Sequence, residues 1–189
     1  MENILQRIKA FNTLSDHGIE KFLALLTEVK LPKGHILIEA GKIDHQLYLI
    51  EKGIVRAFSI TATQYEHTFW FGLEGDAVFS YNSYVKNQPG YESVELLENS
   101  LLYKISLSDL QQLYNTDIEF ANWGRKLVEH EVVRLEERFI SHQFKTASER
   151  YKDLLHNSPD LLQRVQLSLL ASYLGITPVS LSRIRAEIR

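Results

Sequence analysis

Apolar positions set the reading frame of this chain. Ile4, Leu5, Ile8 and Phe11, then Ile19, Phe22, Leu23 and Leu26, recur at three- and four-residue steps, so residues 1 to about 30 are predicted to be helical. "LPKG" at 31–34 ends that pattern with a proline and a glycine. From there to about Ser106 the runs become short and rich in β-branched and aromatic residues: "HILIEAG", "QLYLIEKG", "IVRAFSI", "HTFWFG" and "SLLYKIS". Punctuated by Gly and polar turns, these runs predict a small β-sandwich or barrel.

The helical period then returns. "SLSD" is a start signal for a helix near 108–114, and a much longer helix is predicted over about 116–144. On it Ala121, Gly124, Val128, Val132, Leu135 and Phe139 share one narrow stripe. A helix of that length is too long to pack only on a small β domain, so the stripe is read as the seam of a two-stranded dimer. "TASERYKDLL" gives a further short helix ended by "HNSPD", and two more helices are expected to close the chain.

Composition narrows the function classes. With no cysteine, disulfides, cysteine-ligated zinc or iron–sulfur centres and thiol redox sensing are all excluded. No apolar run approaches the about 20 residues that span a bilayer, and the acid-bearing amphipathic start "MENILQRIKAFNTLSDHG" is neither a signal nor a transit peptide. A cytoplasmic protein without membrane partners is the expectation. Charge is unevenly placed: from Lys145 onward seven Lys/Arg face four Asp/Glu, a net +3, which leaves −6 on the preceding residues of a chain at −3. An acidic body with a basic end suits a nucleic-acid contact at that end.

The closing stretch "LLASYLGITPVSLSRIRAEIR" carries the most specific pattern. With Gly175 as the turn of a helix-turn-helix, Ala171 supplies the small residue four positions earlier, Leu174 and Ile176 flank the turn, and Leu181 and Ile184 face inward from the second helix. Thr177 is a natural N-cap and Pro178 suits the first helical position. The outward face then holds Val179, Ser180, Ser182 and Arg183. Thr177 and Ser180 suit phosphates or base edges, Arg183 can grip a guanine bidentately, and Arg185 and Arg189 are assigned to backbone phosphates.

Catalytic chemistry is absent from the pattern. The seven histidines are scattered, and no His-x-His pair followed by Glu, nucleophile elbow, phosphate-binding Gly loop or His-Glu-x-x-His occurs. No catalytic residue, metal ligand or cofactor is therefore assigned.

Nearly the whole chain resembles the Crp/Fnr family of transcription regulators. Gly34, Gly41, Tyr48 and Gly53 in "KGHILIEAGKIDHQLYLIEKG" match the family's first hairpins, and "LLENSLLYKISLSDLQQL" its last strand and following helix. "SERYKDLL…PDLLQRVQLSLLASYLGITPVSLSRIR" resembles the DNA-binding domain of a Bacteroidetes-like subgroup. The resemblance implies an α+β fold: an N-terminal β-roll (a jelly-roll of the cyclic-nucleotide-binding type) with flanking helices, a dimerisation helix and a winged helix-turn-helix. The corresponding domains are residues 1–115, 116–143 and 144–189. It further implies a homodimer on a near-palindromic promoter site in double-stranded DNA, with RNA polymerase as a further partner.

Two departures qualify that picture. Cyclic-nucleotide binders of the family begin a short helix near a Gly-Glu pair and grip the phosphate with an Arg followed by Ser or Thr. Here Gly75-Asp76 stands for the first pair, Gly90 and Tyr91 stand for the second, and no arginine lies between Arg56 and Arg125. A cyclic phosphate without a paired cation is costly to bury, so a small-molecule effector of another kind, or none, is expected. Gly75, Asp76, Phe79, Tyr81, Tyr91 and Ser93 are the residues assigned to such a pocket. The recognition helix also begins with Pro178 and Val179 where the best-known activators carry Arg and Glu. The alternative reading is a ligand-binding sensor module without a DNA role.

Overall fold

The computed structural model describes every residue except 12, 62, 63 and 189. The chain divides into two compact units, one of residues 1–57 and 71–130 and the other of residues 58–70 and 131–189.

The first unit opens with α1 (Glu2–Ala10) and α2 (Asp16–Leu25). Ser15 caps α2 by accepting the Gly18 N–H at 3.2 Å. For α1 the acceptor comes from a strand: the Glu51 carboxylate takes the N–H groups of Glu2 and Ile4 at 2.8 and 3.2 Å. Thr27–Leu31 is a strand, β1, not the helical turn expected from the spacing of its neighbours. Val29 and Leu31 are the only partly covered residues in its alternating pattern, which is the period of a half-buried strand.

Seven further strands follow: β2 (Ile36–Ile38), β3 (Gln46–Lys52), β4 (Val55–Ile60), β5 (Glu66–Gly72), β6 (Ala77–Val78), β7 (Ser93–Leu96) and β8 (Ser100–Ser106). They form two four-stranded sheets, in the orders β1-β8-β3-β6 and β2-β7-β4-β5, with β3 antiparallel to β8 from Gln46↔Ser106 to Lys52↔Leu101. This is the expected β-roll. Gly53 turns β3 into β4 at φ +122°, and an added Cβ would strike Ser100, so only glycine fits there. A short helix, α3 (Tyr81–Lys86), lies between β6 and β7.

After β8 the chain forms α4 (Leu107–Thr116), capped by Ser106, and α5 (Ile118–Phe144), a single helix of 27 residues. The first turns of α5 belong to the core of this unit. Trp123 is 1% exposed, with its ring 4.9 Å from that of Phe22, and Phe120 and Leu127 lie in the same cluster with Ile4, Ile8 and Ile105. Ser15 further ties α2 to α5, donating its N–H and hydroxyl to Glu119 at 2.9 and 2.8 Å.

The second unit is helical apart from the end of β4 and the start of β5. The last turns of α5 are followed by α6 (Ala147–Asn157), α7 (Pro159–Arg164), α8 (Leu167–Tyr173) and α9 (Pro178–Ile188). The Thr146 side chain and Glu149 form a reciprocal capping box at the start of α6. Three helices, not two, follow α6, because Pro159 opens a short helix where a turn was expected. Tyr151, Leu154, Leu161, Leu170, Leu174 and Leu181 are buried and form the interior of this unit. Among the described residues no strand lies between α5 and α9.

Gly124 departs from its predicted place on an open seam. It is buried against α4, and a Cβ there would lie 2.5 Å from the Tyr114 ring. Helix propensity favours alanine over glycine by about 1 kcal/mol, whereas overpacking against a ring costs about 1–3 kcal/mol. Gly124→Ala is therefore expected to lower unfolding free energy by up to about 2 kcal/mol in urea titration, and greater stability would show that Tyr114 moves aside freely.

Candidate nucleic-acid interface and sensor pocket

The helix-turn-helix assembles as its spacing predicts. Ala171 is fully buried, Leu174 is 2% exposed and Leu181 is fully buried, while the axes of α8 and α9 meet at 95°. That angle lies in the range of such motifs. Gly175 takes φ +69°, the left-handed conformation that its turn position requires. Thr177 Oγ1 accepts the Ser180 N–H at 3.2 Å and lies 3.0 Å from the Ser180 hydroxyl, so these two hydroxyls cap α9 together. Pro178 stands at its first position.

Of the residues predicted to face outward, Ser180 is partly covered. Val179 is 64% exposed, and Ser182 and Arg183 are exposed beside it. Ile184 and Arg185 are partly covered, and Arg189 lies outside the described residues. A short-side-chain face carrying one exposed guanidinium can approach a groove closely and place a fork-shaped donor at base edges. No single helix among the described residues is long and apolar enough to cross a membrane.

Two supporting residues escaped the sequence reading. Ser172 on α8 is 5% exposed, accepts the Thr68 N–H at 2.9 Å and donates to the Glu66 carbonyl at 3.0 Å. β5 is the last strand of its sheet, so this hydroxyl satisfies both edge groups that a further strand would otherwise pair. Arg150 on α6 donates to the carbonyls of Lys145 and Leu174 at 2.6 and 2.8 Å, holding α6 against the residue that precedes the motif's glycine. Neither role has a local sequence signature.

In the β-roll, Gly75 and Asp76 occupy the turn before β6, not the start of the short helix. The Gly75 N–H donates to the Ile50 carbonyl at 2.8 Å, and the Asp76 carboxylate accepts the Leu73 N–H at 3.0 Å. Phe79 and Ser80 directly precede α3. Phe79 is 9% exposed and packs against Tyr81 and Tyr84 at ring distances of 4.7 and 5.1 Å, so it serves the core. Tyr81 and Tyr91 are exposed, and the Ser93 hydroxyl accepts the Ala40 N–H at 3.1 Å.

Gly90 is enclosed. A Cβ on it would lie 2.5 Å from Ser80 Oγ and 2.9 Å from Glu92 Oε1. Ser80 and Glu92 are both buried, and neither Ser80 Oγ nor Glu92 Oε2 has a hydrogen-bond partner among the described residues. The place that the resemblance assigns to a phosphate-gripping arginine thus carries no side chain, a Cβ there would require Ser80 or Glu92 to move, and a carboxyl group lies beside it. Among the described residues no cluster of three His, Cys, Asp or Glu side chains could hold a metal.

Comparison with known proteins agrees with this geometry. Residues 28–117 match the cyclic nucleotide-binding domain family. The fumarate and nitrate reduction regulatory protein of Salmonella typhi is 25% identical over 184 residues, which take in 91% of this chain and 73% of that protein. Among solved structures, FixK2 from Bradyrhizobium japonicum superposes with a TM-score of 0.73 at 17% identity, over 86% of this chain and 84% of that one. The Thermus thermophilus catabolite activator protein gives 0.60 at 19% identity, over 94% and 85%.

Ser172→Ala is expected to cost about 1–3 kcal/mol of stability, because the buried Thr68 N–H and the part-buried Glu66 carbonyl lose this partner. The Thr68 amide proton should exchange faster in hydrogen–deuterium exchange. Unchanged protection at Thr68 would show that another group satisfies that edge. Residues 28–117 thus carry a cyclic nucleotide-binding domain, and over nearly its whole length the chain is similar to transcription regulators of the Crp/Fnr type.

Proposed function

We propose that the chain regulates transcription as a homodimer joined along α5, with two copies of α9 in successive major grooves of a near-palindromic site. The observation that carries the dimer is an unpartnered apolar stripe: Val132, Leu135 and Phe139 are 56%, 57% and 62% exposed at three- and four-residue steps. Such a stripe is stable in water when a second helix covers it. Two-fold pairing then dictates half-sites about 10 base pairs apart. Thr177 and Ser182 face phosphate or base edges, Val179 meets apolar groove atoms such as thymine methyls, and Arg183 reads a base. RNA polymerase and a cytoplasmic setting complete this reading.

The effector, in this reading, is not a cyclic nucleotide. A cyclic phosphate beside Gly90 would gain no cation and would meet the Glu92 carboxyl group. Cyclic AMP and cyclic GMP are expected to leave the melting temperature unchanged, whereas occupancy at 100 times Kd would add about 2.7 kcal/mol and raise it by several degrees. A rise of that size would refute the argument from Gly90.

Two substitutions test the DNA reading. Leu135→Asp with Phe139→Asp should yield a monomer by sedimentation and lower affinity for a two-half-site duplex on the order of 100-fold. A dimer that persists would place the interface elsewhere. Arg183→Ala should weaken specific binding by about 1–3 kcal/mol while leaving non-specific binding nearly unchanged, and Arg185→Ala should weaken both alike. Equal effects of the two variants in fluorescence anisotropy would remove the base-reading role of Arg183.

A further inference from the structure

A pocket of about 160 Å³ lies within the second unit, away from the outward face of α9. The last turns of α5 supply Arg138, Ser141 and His142, α6 supplies Arg150 and Asp153, and Tyr173 closes it from α8. Its volume has room for a handful of water-sized groups, the scale of a tetrahedral oxyanion.

The lining carries positive charge in excess. Its one carboxylate, Asp153, is already paired with Lys145 at 2.7 Å. Arg150 uses two nitrogens on the backbone carbonyls of Lys145 and Leu174, while its Nε is buried with no partner among the described residues. Arg138 makes no hydrogen bond or ion pair among the described residues; its neighbour Tyr173 feels its charge. His142 keeps an exposed edge, 6.5 Å from the Tyr173 ring. Loss of hydration, then the Arg150 guanidinium, then His67, holds the imidazole below its ordinary pKa. Cations crowded with no free counter-charge are what a bound anion offsets, and a planar guanidinium is the side chain best shaped for its oxygens.

We propose that this pocket binds a small, free oxyanion of the phosphate class, gripped by Arg138 and Arg150 with His142 and Tyr173 at its sides. Bound there, the anion would join the end of α5 to α6 and to the last turn of α8, the helix that leads into the recognition turn. It would thus stiffen the mounting of α9 from a site that touches no base.

The test uses the full chain in phosphate-free buffer, titrated with sodium phosphate and, as reference, with sodium chloride at equal ionic strength. The His142 ring is followed by proton–carbon NMR. Phosphate should shift it saturably and make it titrate at higher pH, because an adjacent anion favours the imidazolium. Arg138→Gln should weaken phosphate binding by about tenfold or more, the loss of one charge-assisted contact. Its melting temperature without phosphate should equal that of the unsubstituted chain, since Arg138 makes no hydrogen bond or ion pair among the described residues. Arg150→Lys should weaken binding too, but it also disturbs two backbone carbonyls, so Arg138→Gln is the deciding variant. A response that fails to saturate, or that Arg138→Gln leaves intact, overturns the proposal. It is equally overturned if Arg138→Gln weakens DNA binding in phosphate-free buffer with a shallower salt dependence, since the guanidinium would then serve a backbone phosphate of DNA.

Discussion

The packing of Trp123 against Phe22 is the constraint on which the rest of the architecture depends. It seats the first turns of α5 among α1, α2 and the β3–β8 sheet, with Phe11 meeting the indole edge-on at 6.4 Å. Rings of this size dominate the energetics of a small core, and each aromatic pair adds about 0.5–1.5 kcal/mol beyond the area it buries. Gly124 and Tyr114 add a steric stop beside it, and Glu119 bonds the cap of α2. The same 27-residue helix then leaves its apolar stripe at Val132, Leu135 and Phe139 uncovered. One helix therefore has a face that is satisfied by its own chain and a face that is not, and the proposal of a dimer along α5 rests on that division.

The proposal that the β-roll takes no cyclic nucleotide rests on subtraction. Where a phosphate would need a guanidinium, Gly90 is held between Ser80 and Glu92, and a Cβ there would require one of them to move. The Ser80 hydroxyl can donate or accept, and the Glu92 carboxyl group lies beside it.

How much of this was legible in the sequence depended on the range of the forces involved. The helix-turn-helix was readable because its constraints are local and steric: Ala171 where helices cross, Gly175 where φ is positive, Leu181 facing inward. The β-roll was readable from its turn glycines and β-branched runs. Thr27–Leu31 was misread because an apolar residue every three or four positions does not exclude a strand, and pairing with β8 decided the matter. Gly75-Asp76 and the start of α3 were conflated because a Gly-acid pair marks any tight turn. Gly124 looked like part of an open stripe until Tyr114 covered it. Ser172, Arg150 and the pair Ser80–Glu92 carried no sequence signal, since each acts across distant positions: Ser172 on Glu66 and Thr68, Arg150 on Leu174, Glu92 beside Ser80.

The account stands on the claim that two copies of α9 read DNA in register. In vitro selection with the full chain from a pool of random duplexes, followed by sequencing, addresses it most directly. The account predicts an enriched two-fold symmetric site whose half-site centres lie about 10 base pairs, one helical turn, apart. Enrichment of a single asymmetric half-site would contradict the paired arrangement along α5, and no enrichment at all would contradict DNA reading by α9.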